Sequence, residues 1–278
     1  MKATEPDYLE LWRNLVLMGG FRFATMFNQK EKAEAYELAT RRKNQDRRDI
    51  LLDFVINDLR PEYAILDIGA GTGRWTVPLA KIASRVTAVE PAGPMLDILK
   101  RNAQEAGVTD RINLVPATWE GADIGMYDVS VSLHAMYLST DFAAFIHKME
   151  AHTKHRCYLG VRHFPIDGRI QELSTKIYGT RHDSPNFIIA FNALYQMGIN
   201  ANVLIEDLKH HWNDANLEAA FTRAKRHLRL DTVGTYDDLV FTTLKRRLGY
   251  KDGAYIWPDF TSTALAWWDS RAHCAAII

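Results

Sequence analysis

The stretch Ala64-Ile-Leu-Asp-Ile-Gly-Ala-Gly-Thr-Gly-Arg-Trp75 decides how this 278-residue chain is read. Residues 64–68 are a short apolar run closing around one acid, Asp67. That is the pattern of a strand buried on both faces of a parallel sheet. Gly69, Gly71 and Gly73 follow at every second position. Glycine permits positive φ and lets a ligand approach the backbone closely. A helix starting near Arg74 or Trp75 then presents unpaired N–H groups and the positive end of its dipole, a seat for an anionic group.

The next apolar run, Val86-Thr-Ala-Val-Glu-Pro91, again ends in an acid. Glu90 lies 21 residues beyond Gly69 (90 − 69). An acid closing this second strand can accept hydrogen bonds from both hydroxyls of a ribose. The two segments together describe a pocket for a ribonucleoside ligand. The dinucleotide fingerprint G-x-G-x-x-G fits at Gly69 and Gly71, but its sixth position holds Arg74. The third glycine falls at Gly73 instead, and Asp67 stands two residues before the first.

This Asp-x-Gly-x-Gly-x-Gly pattern resembles motif I of the class I methyltransferases that use S-adenosylmethionine (SAM). Residues 86–91 resemble their second motif, and Tyr127-Asp-Val-Ser-Val-Ser-Leu133 resembles their fourth strand. The likeness covers about residues 50–165. It implies a Rossmann-like α/β fold whose mostly parallel seven-stranded sheet has an antiparallel last strand, with N-terminal helices and a helical insertion. It implies SAM as cofactor and S-adenosylhomocysteine (SAH) as product. Asp67, Gly69, Ala70, Gly71, Gly73, Glu90 and Pro91 would line the cofactor, with Met95 as apolar cover for the adenine. Many relatives place an acid after the third strand to accept from the adenine amino group. Ala117 and Thr118 stand there in this chain, and Trp119 and Glu120 are the available substitutes. Leu133, closing the fourth strand, completes the set.

Outward from this segment, strands are expected at about 64–68, 86–90, 112–115, 128–133 and 157–163, with helices between them. Such alternation implies right-handed crossovers. Residues 7–60 read as helices: Tyr8, Leu11, Leu15 and Met18 recur at helical spacing, 30–48 is a charged segment of helix formers, and 50–59 is amphipathic before Pro61. Past Pro165 the alternation breaks. Helices are expected at 187–197, 217–228 and 236–248, with a strand pair at 201–206 and 263–268. The division expected is a helical lid (1–60), a cofactor-binding core (61–165), an insertion with the sixth strand covering the acceptor (166–250), and the closing strand (251–278). The aromatics Tyr8, Trp12, Phe21, Phe23, Phe27 and Tyr36, then Tyr178, Phe187, Phe191 and Tyr195, lie in the two candidate covers.

Charge is balanced, with 34 basic and 34 acidic residues, so no overall field favours a long nucleic acid. The apolar run 15–20 is too short to cross a bilayer, no signal peptide is recognised, and Cys157 and Cys274 make no disulfide framework. The expectation is a cytoplasmic protein. His210-His211-Trp212 does not read as a metal site, since adjacent histidines diverge; no metal is expected. Arg41-Arg42 and Arg47-Arg48 read as solvated helix faces.

Transfer of an activated methyl needs alignment and dryness more than a protein nucleophile. Ligands of open α/β sheets bind beyond the carboxyl ends of the strands. After the fourth strand come His134 and Tyr137, a candidate general base and an orienting hydroxyl. After the fifth come Arg162 and His163, either of which could bind a carboxylate or phosphate on the acceptor; strand alternation sends them to opposite faces, and His163 is the candidate catalytic group. The reading is methyl transfer to an unidentified small-molecule acceptor. A protein or RNA acceptor and a non-catalytic SAM-binding protein stay open as alternatives. Arg74 argues against a nicotinamide oxidoreductase.

Overall fold

The computed structural model describes residues 6–19, 26–44, 47–163, 170–179, 184–206, 212–258 and 262–270. Three helices, α1 (Tyr8–Gly19), α2 (Lys30–Asn44) and α3 (Ile50–Asp58), precede the first strand. Alternation follows: β1 (Ala64–Ile68), α4 (Thr76–Ile82), β2 (Arg85–Val89), α5 (Gly93–Glu105), β3 (Ile112–Val115), β4 (Tyr127–Leu133), α6 (Phe142–Ala151) and β5 (Thr153–His163). Then come α7 (Gln171–Tyr178), α8 (Phe187–Gln196), β6 (Asn202–Glu206), β7 (Asn213–Asp214), α9 (Leu217–His227), α10 (Asp237–Arg247), β8 (Gly249–Lys251), β9 (Ala254–Ile256) and β10 (Ser262–Asp269).

The main sheet runs β3-β2-β1-β4-β5-β10-β6. β10 is antiparallel to both its neighbours, and the other pairs are parallel. The antiparallel last strand is therefore inserted between β5 and β6. Every residue of β1 is buried, as its apolar run requires. One face of the sheet is covered by α1, α6 and α8 through a core that includes Trp12, Phe142, Met149, Phe187 and Trp268. Trp12 is fully buried; its ring stands edge-on to Phe142 at 5.0 Å and its indole N–H donates to the Ser139 carbonyl at 3.0 Å. The other face packs Leu51 and Val55 of α3 and Leu79 of α4 against Val86, Val129 and Tyr158.

Four features depart from the sequence reading, the first being α7, a helix the sequence reading did not place. The buried stripe of α1 is Trp12, Leu15 and Val16, whereas Met18 is exposed. β5 begins at Thr153 rather than 157, because its polar start, Thr153-Lys-His-Arg, carries no apolar run. The insertion also runs past its expected end at 250: β9, at 254–256, joins β7 and β8 in a small antiparallel sheet beside its helices. Strands of two or three residues are too short to show a two-residue period. Ile170, Leu173, Ala224, Val240, Leu244 and Trp257 give this insertion a core of its own. The Trp257 indole donates to Asp214 at 2.7 Å, and Arg223 pairs with the same carboxylate. Among the described residues no helix is long and apolar enough to cross a membrane.

Gly160 of β5 lies beneath the Leu133 side chain, so close that a Cβ there would overlap Leu133 Cδ1. Gly160→Ala is expected to cost about 1–3 kcal/mol through overpacking. The check is a lower denaturant midpoint with an unchanged slope.

Candidate functional site

The turn after β1 is built as its glycines demand. Gly69, Gly71 and Gly73 all have positive φ, at 74°, 56° and 86°. The amides of Gly69 and Ala70 both donate to the Val89 carbonyl, at 2.8 and 3.1 Å, which pulls the turn over the end of β2. A Cβ on Gly69 would overlap that of Ala135, in the loop after β4. A Cβ on Gly73 would lie 2.9 Å from Leu99 Cγ, so this glycine serves helix packing. Gly71 differs: a Cβ there would meet only Met95 Cε, at 3.8 Å. Its amide is the part in use. It donates to Glu90 Oε2 at 3.0 Å, while Ala92 N–H donates to Oε1 at 2.9 Å.

Glu90 is thus oriented by two backbone amides, one on each oxygen. Each carboxylate oxygen keeps a lone pair for a further donor. Burial raises the Glu90 pKa above its ordinary value, against the two amide bonds that lower it. Asp67 is different in kind. It is 3% exposed and accepts from the Thr76 hydroxyl at 2.6 Å. It therefore ties β1 to the first turn of α4 behind the glycines. Burial pushes its pKa up to about 6, with a further upward push from the Glu90 charge and an opposing pull from Thr76. Ala70 packs on Ala88 and Leu99. Pro91 is exposed, and Met95 is buried with Ala33, Ala92 and Ile98, against Phe27. The N-terminal segment thus covers Met95. It is pinned there by Glu37 of α2, which accepts from Asn102 Nδ2 at 3.0 Å, while the same nitrogen donates to the Thr72 carbonyl at 2.8 Å.

Thr118 is exposed and its hydroxyl caps Gly121 N–H at 3.3 Å. Trp119 turns away from the glycine turn into the core. Its indole donates to the Phe145 carbonyl at 3.2 Å, and Lys148 stands 4.8 Å from its ring. The structure does not bring Trp119 together with Glu90.

After β4 the chain kinks at His134, which has φ of 57°. A non-glycine residue in this region stores strain, and such strain gathers at functional sites. Both ring nitrogens face hydroxyls: Nδ1 lies 2.8 Å from Tyr137 Oη and Nε2 lies 3.2 Å from Thr263 Oγ1. Tyr137 Oη accepts the Arg162 amide at 2.7 Å, and the Arg162 guanidinium lies 4.2 Å from the tyrosine ring. Burial raises the Tyr137 pKa, against the lowering influence of Arg162. The phenol therefore keeps its proton at neutral pH. Leu133 lies on the same face as Arg162, against Gly160. His163 points to the opposite face, 6.0 Å from the Phe187 ring. Strand alternation thus groups Arg162, and not His163, with His134.

Asp49, Asn102 and Thr263 belong to this region and were missed in the sequence. Asp49 caps α3 through Leu52 N–H at 3.1 Å and accepts from Arg74 at 2.5 Å and the Trp75 indole at 3.2 Å. Its burial raises the pKa, but the Arg74 charge and these hydrogen bonds outweigh that and hold it below the ordinary range. An aspartate three residues before Leu52, at the start of an apolar period, is a capping signal that sequence alone offered. The contacts of Asn102 and Thr263 had no such signal. Phe21, Phe23, Phe164, His210, His211 and Cys274 lie outside the described residues. Among the described residues no cluster of three or more His, Cys, Asp or Glu side chains is placed to hold a metal.

The sequence profile of a family described as "Methyltransferase domain" matches residues 65–156. Residues 65–156 are thus similar to a methyltransferase domain. An uncharacterised protein of Haemophilus influenzae is 31% identical over 151 residues, covering 52% of this chain and 54% of that protein. A mitochondrial ribosomal RNA small subunit methyltransferase of Arabidopsis thaliana is 31% identical over 84 residues, 30% of this chain and 22% of its own. A ubiquinone biosynthesis O-methyltransferase of Methylocella silvestris is 27% identical over 82 residues, 30% of this chain and 32% of its own. The chain thus spans about half, or less, of the length of the curated relatives it matches. The crystal structure of a methyltransferase from Geobacter sulfurreducens, in complex with SAH, shares the fold at 14% identity. It has a TM-score of 0.50, with 78% of this chain and 90% of that one covered.

Asp67 makes the stability of the domain depend on pH. Its folded pKa, about 6, lies above the ordinary 3.8, so the folded state binds the extra proton between these values. Its contribution to stability is then fully present below about pH 4 and is lost as pH rises through 6. In Asp67→Asn this loss disappears, so denaturation midpoints of the variant should fall less between pH 4 and 6 than those of the parent.

Proposed function

We propose that this chain is a SAM-dependent methyltransferase acting on a small molecule. The carrying observation is the Glu90 carboxylate, held by Gly71 and Ala92 amides with a lone pair left on each oxygen, beside a glycine whose open side no packing explains. That arrangement fits the two hydroxyls of a ribose. Gly69, Ala70, Gly71 and Gly73 would carry the backbone of the cofactor seat, Glu90 and Pro91 the sugar end, and Met95 the apolar cover. Leu133 would close the seat at β4 and Thr118 would stand at its rim; Trp119, turned into the core, would lie behind it. When bound, SAM supplies the activated methyl group.

The chain's own part is placement and proton handling. Gly69 packs on Ala135, which sets the cofactor turn beside the His134 loop. Tyr137 and Thr263 fix the His134 ring, which can take a proton from an acceptor that releases one. Thr263 must then yield Nε2 to that acceptor. His163, on the opposite face, has no part in this step. Residues 1–60 and 166–250 are proposed as the covers of the site, and a cytoplasmic setting goes with the two-cysteine composition. An RNA acceptor is the second reading, raised by the Arabidopsis relative; the balanced charge of the chain argues against it.

Calorimetry with SAH tests the cofactor seat. Glu90→Ala should weaken binding at least tenfold while keeping the parental fold by circular dichroism, and Gly71→Val, which also strains the turn at its φ of 56°, should abolish binding. Parental affinity in both would place the cofactor elsewhere. Labelled SAM incubated with cell extract should label the small-molecule fraction. A label in RNA, with binding that falls steeply with salt, would favour the second reading.

A further inference from the structure

Arg47, expected on a solvated helix face, lies beyond the end of α2 with its head turned inward. Its side chain as a whole keeps 24% exposure, yet Nε, Nη1 and Nη2 are all shielded from solvent. Surface arginines ordinarily do the reverse, burying the stem and hydrating the head. None of the three nitrogens has a hydrogen-bond acceptor among the described residues. The anion beside them is Glu206, at the end of β6, whose Oε2 lies 3.5 Å from Nη2. Asp49 is committed to Arg74, Trp75 and Leu52. A guanidinium is a planar fork that matches a carboxylate through two parallel bonds, and Glu206 supplies neither.

The place of this arginine is as telling as its state. Arg162, Thr263 and Glu206 are cross-strand neighbours in register, so they form one row on one face of β5, β10 and β6. Thr263 in the middle of that row holds the His134 ring. With strands about 4.8 Å apart, the Arg47 head stands on the order of 10 Å from His134.

We propose that Arg47, with Glu206 as its resting partner, is the subsite for a carboxylate on the methyl acceptor, which makes the acceptor a small organic acid. This deepens the methyltransferase reading and rests on it. The incoming carboxylate takes both edges of the guanidinium and Glu206 gives way. The alternative source of a carboxylate is the methionyl tail of the cofactor, whose seat is at β1 and β2 rather than at β6.

The probe is benzoate, with uncharged benzamide as control, titrated by calorimetry into SAH-saturated protein. Benzoate should bind at least tenfold more tightly than benzamide. Arg47→Met should lose that preference while SAH affinity stays within twofold. Glu206→Gln, which removes the resting anion, should tighten benzoate several-fold. Equal binding of the two probes, or binding of neither, overturns the proposal. A loss of SAH affinity in Arg47→Met also overturns it and assigns the arginine to the cofactor tail. Should Arg47→Met fail to fold, unchanged or weaker benzoate binding in Glu206→Gln overturns it equally. Failure of the parent protein to bind SAH is a different result, and it sinks the methyltransferase reading itself.

Discussion

Gly69 and Ala135 approach so closely that no side-chain atom fits between them. This contact joins the loop after β1 to the loop after β4, and the rest of the site is arranged around it. The parallel register of β1 with β2 on one side and β4 on the other brings the two loops to the same end of the sheet. Gly69 and Ala70 then bend back to the Val89 carbonyl, which carries the turn toward Glu90. Glu90, the acid proposed to hold the sugar, and the His134 loop thus flank one turn. A larger residue at position 69 would part them, whatever its effect on the cofactor.

The acids of the site divide the work by environment. Asp67 is enclosed and bound to Thr76, so it is a brace for the start of α4. Glu90 is also held, but by backbone amides that leave each oxygen able to accept again. Asp49 is kept ionised by Arg74 and hydrogen bonds, and it ties α3 to the start of α4. Glu206 faces Arg47 at 3.5 Å and accepts from the Ile50 amide, yet burial raises its pKa against both.

Much of the fold was legible because its strands are short apolar runs closed by turn residues. β1 and β3 have the expected bounds, and β6 and β10 were placed within a residue at each end. Periodicity misses the polar start of β5 and the two- and three-residue strands of the insertion, where there is too little pattern to read. The glycine turn and Glu90 are legible for a related reason: the pattern is local, and glycine spacing records it in the chain itself.

What the sequence determined is the half of the site proposed to hold the cofactor, since its backbone turn, its acid and its supporting strand lie within 27 consecutive residues, 64–90. What only the tertiary structure decided is the other half. His134, Thr263, Glu206 and Arg47 are far apart in the chain and meet because β10 inserts between β5 and β6. Register sets Arg162, Thr263 and Glu206 in one row, and burial turns the head of Arg47 toward them. Side-chain direction at long range follows from strand order and parity, and neither is written in the spacing of any single segment.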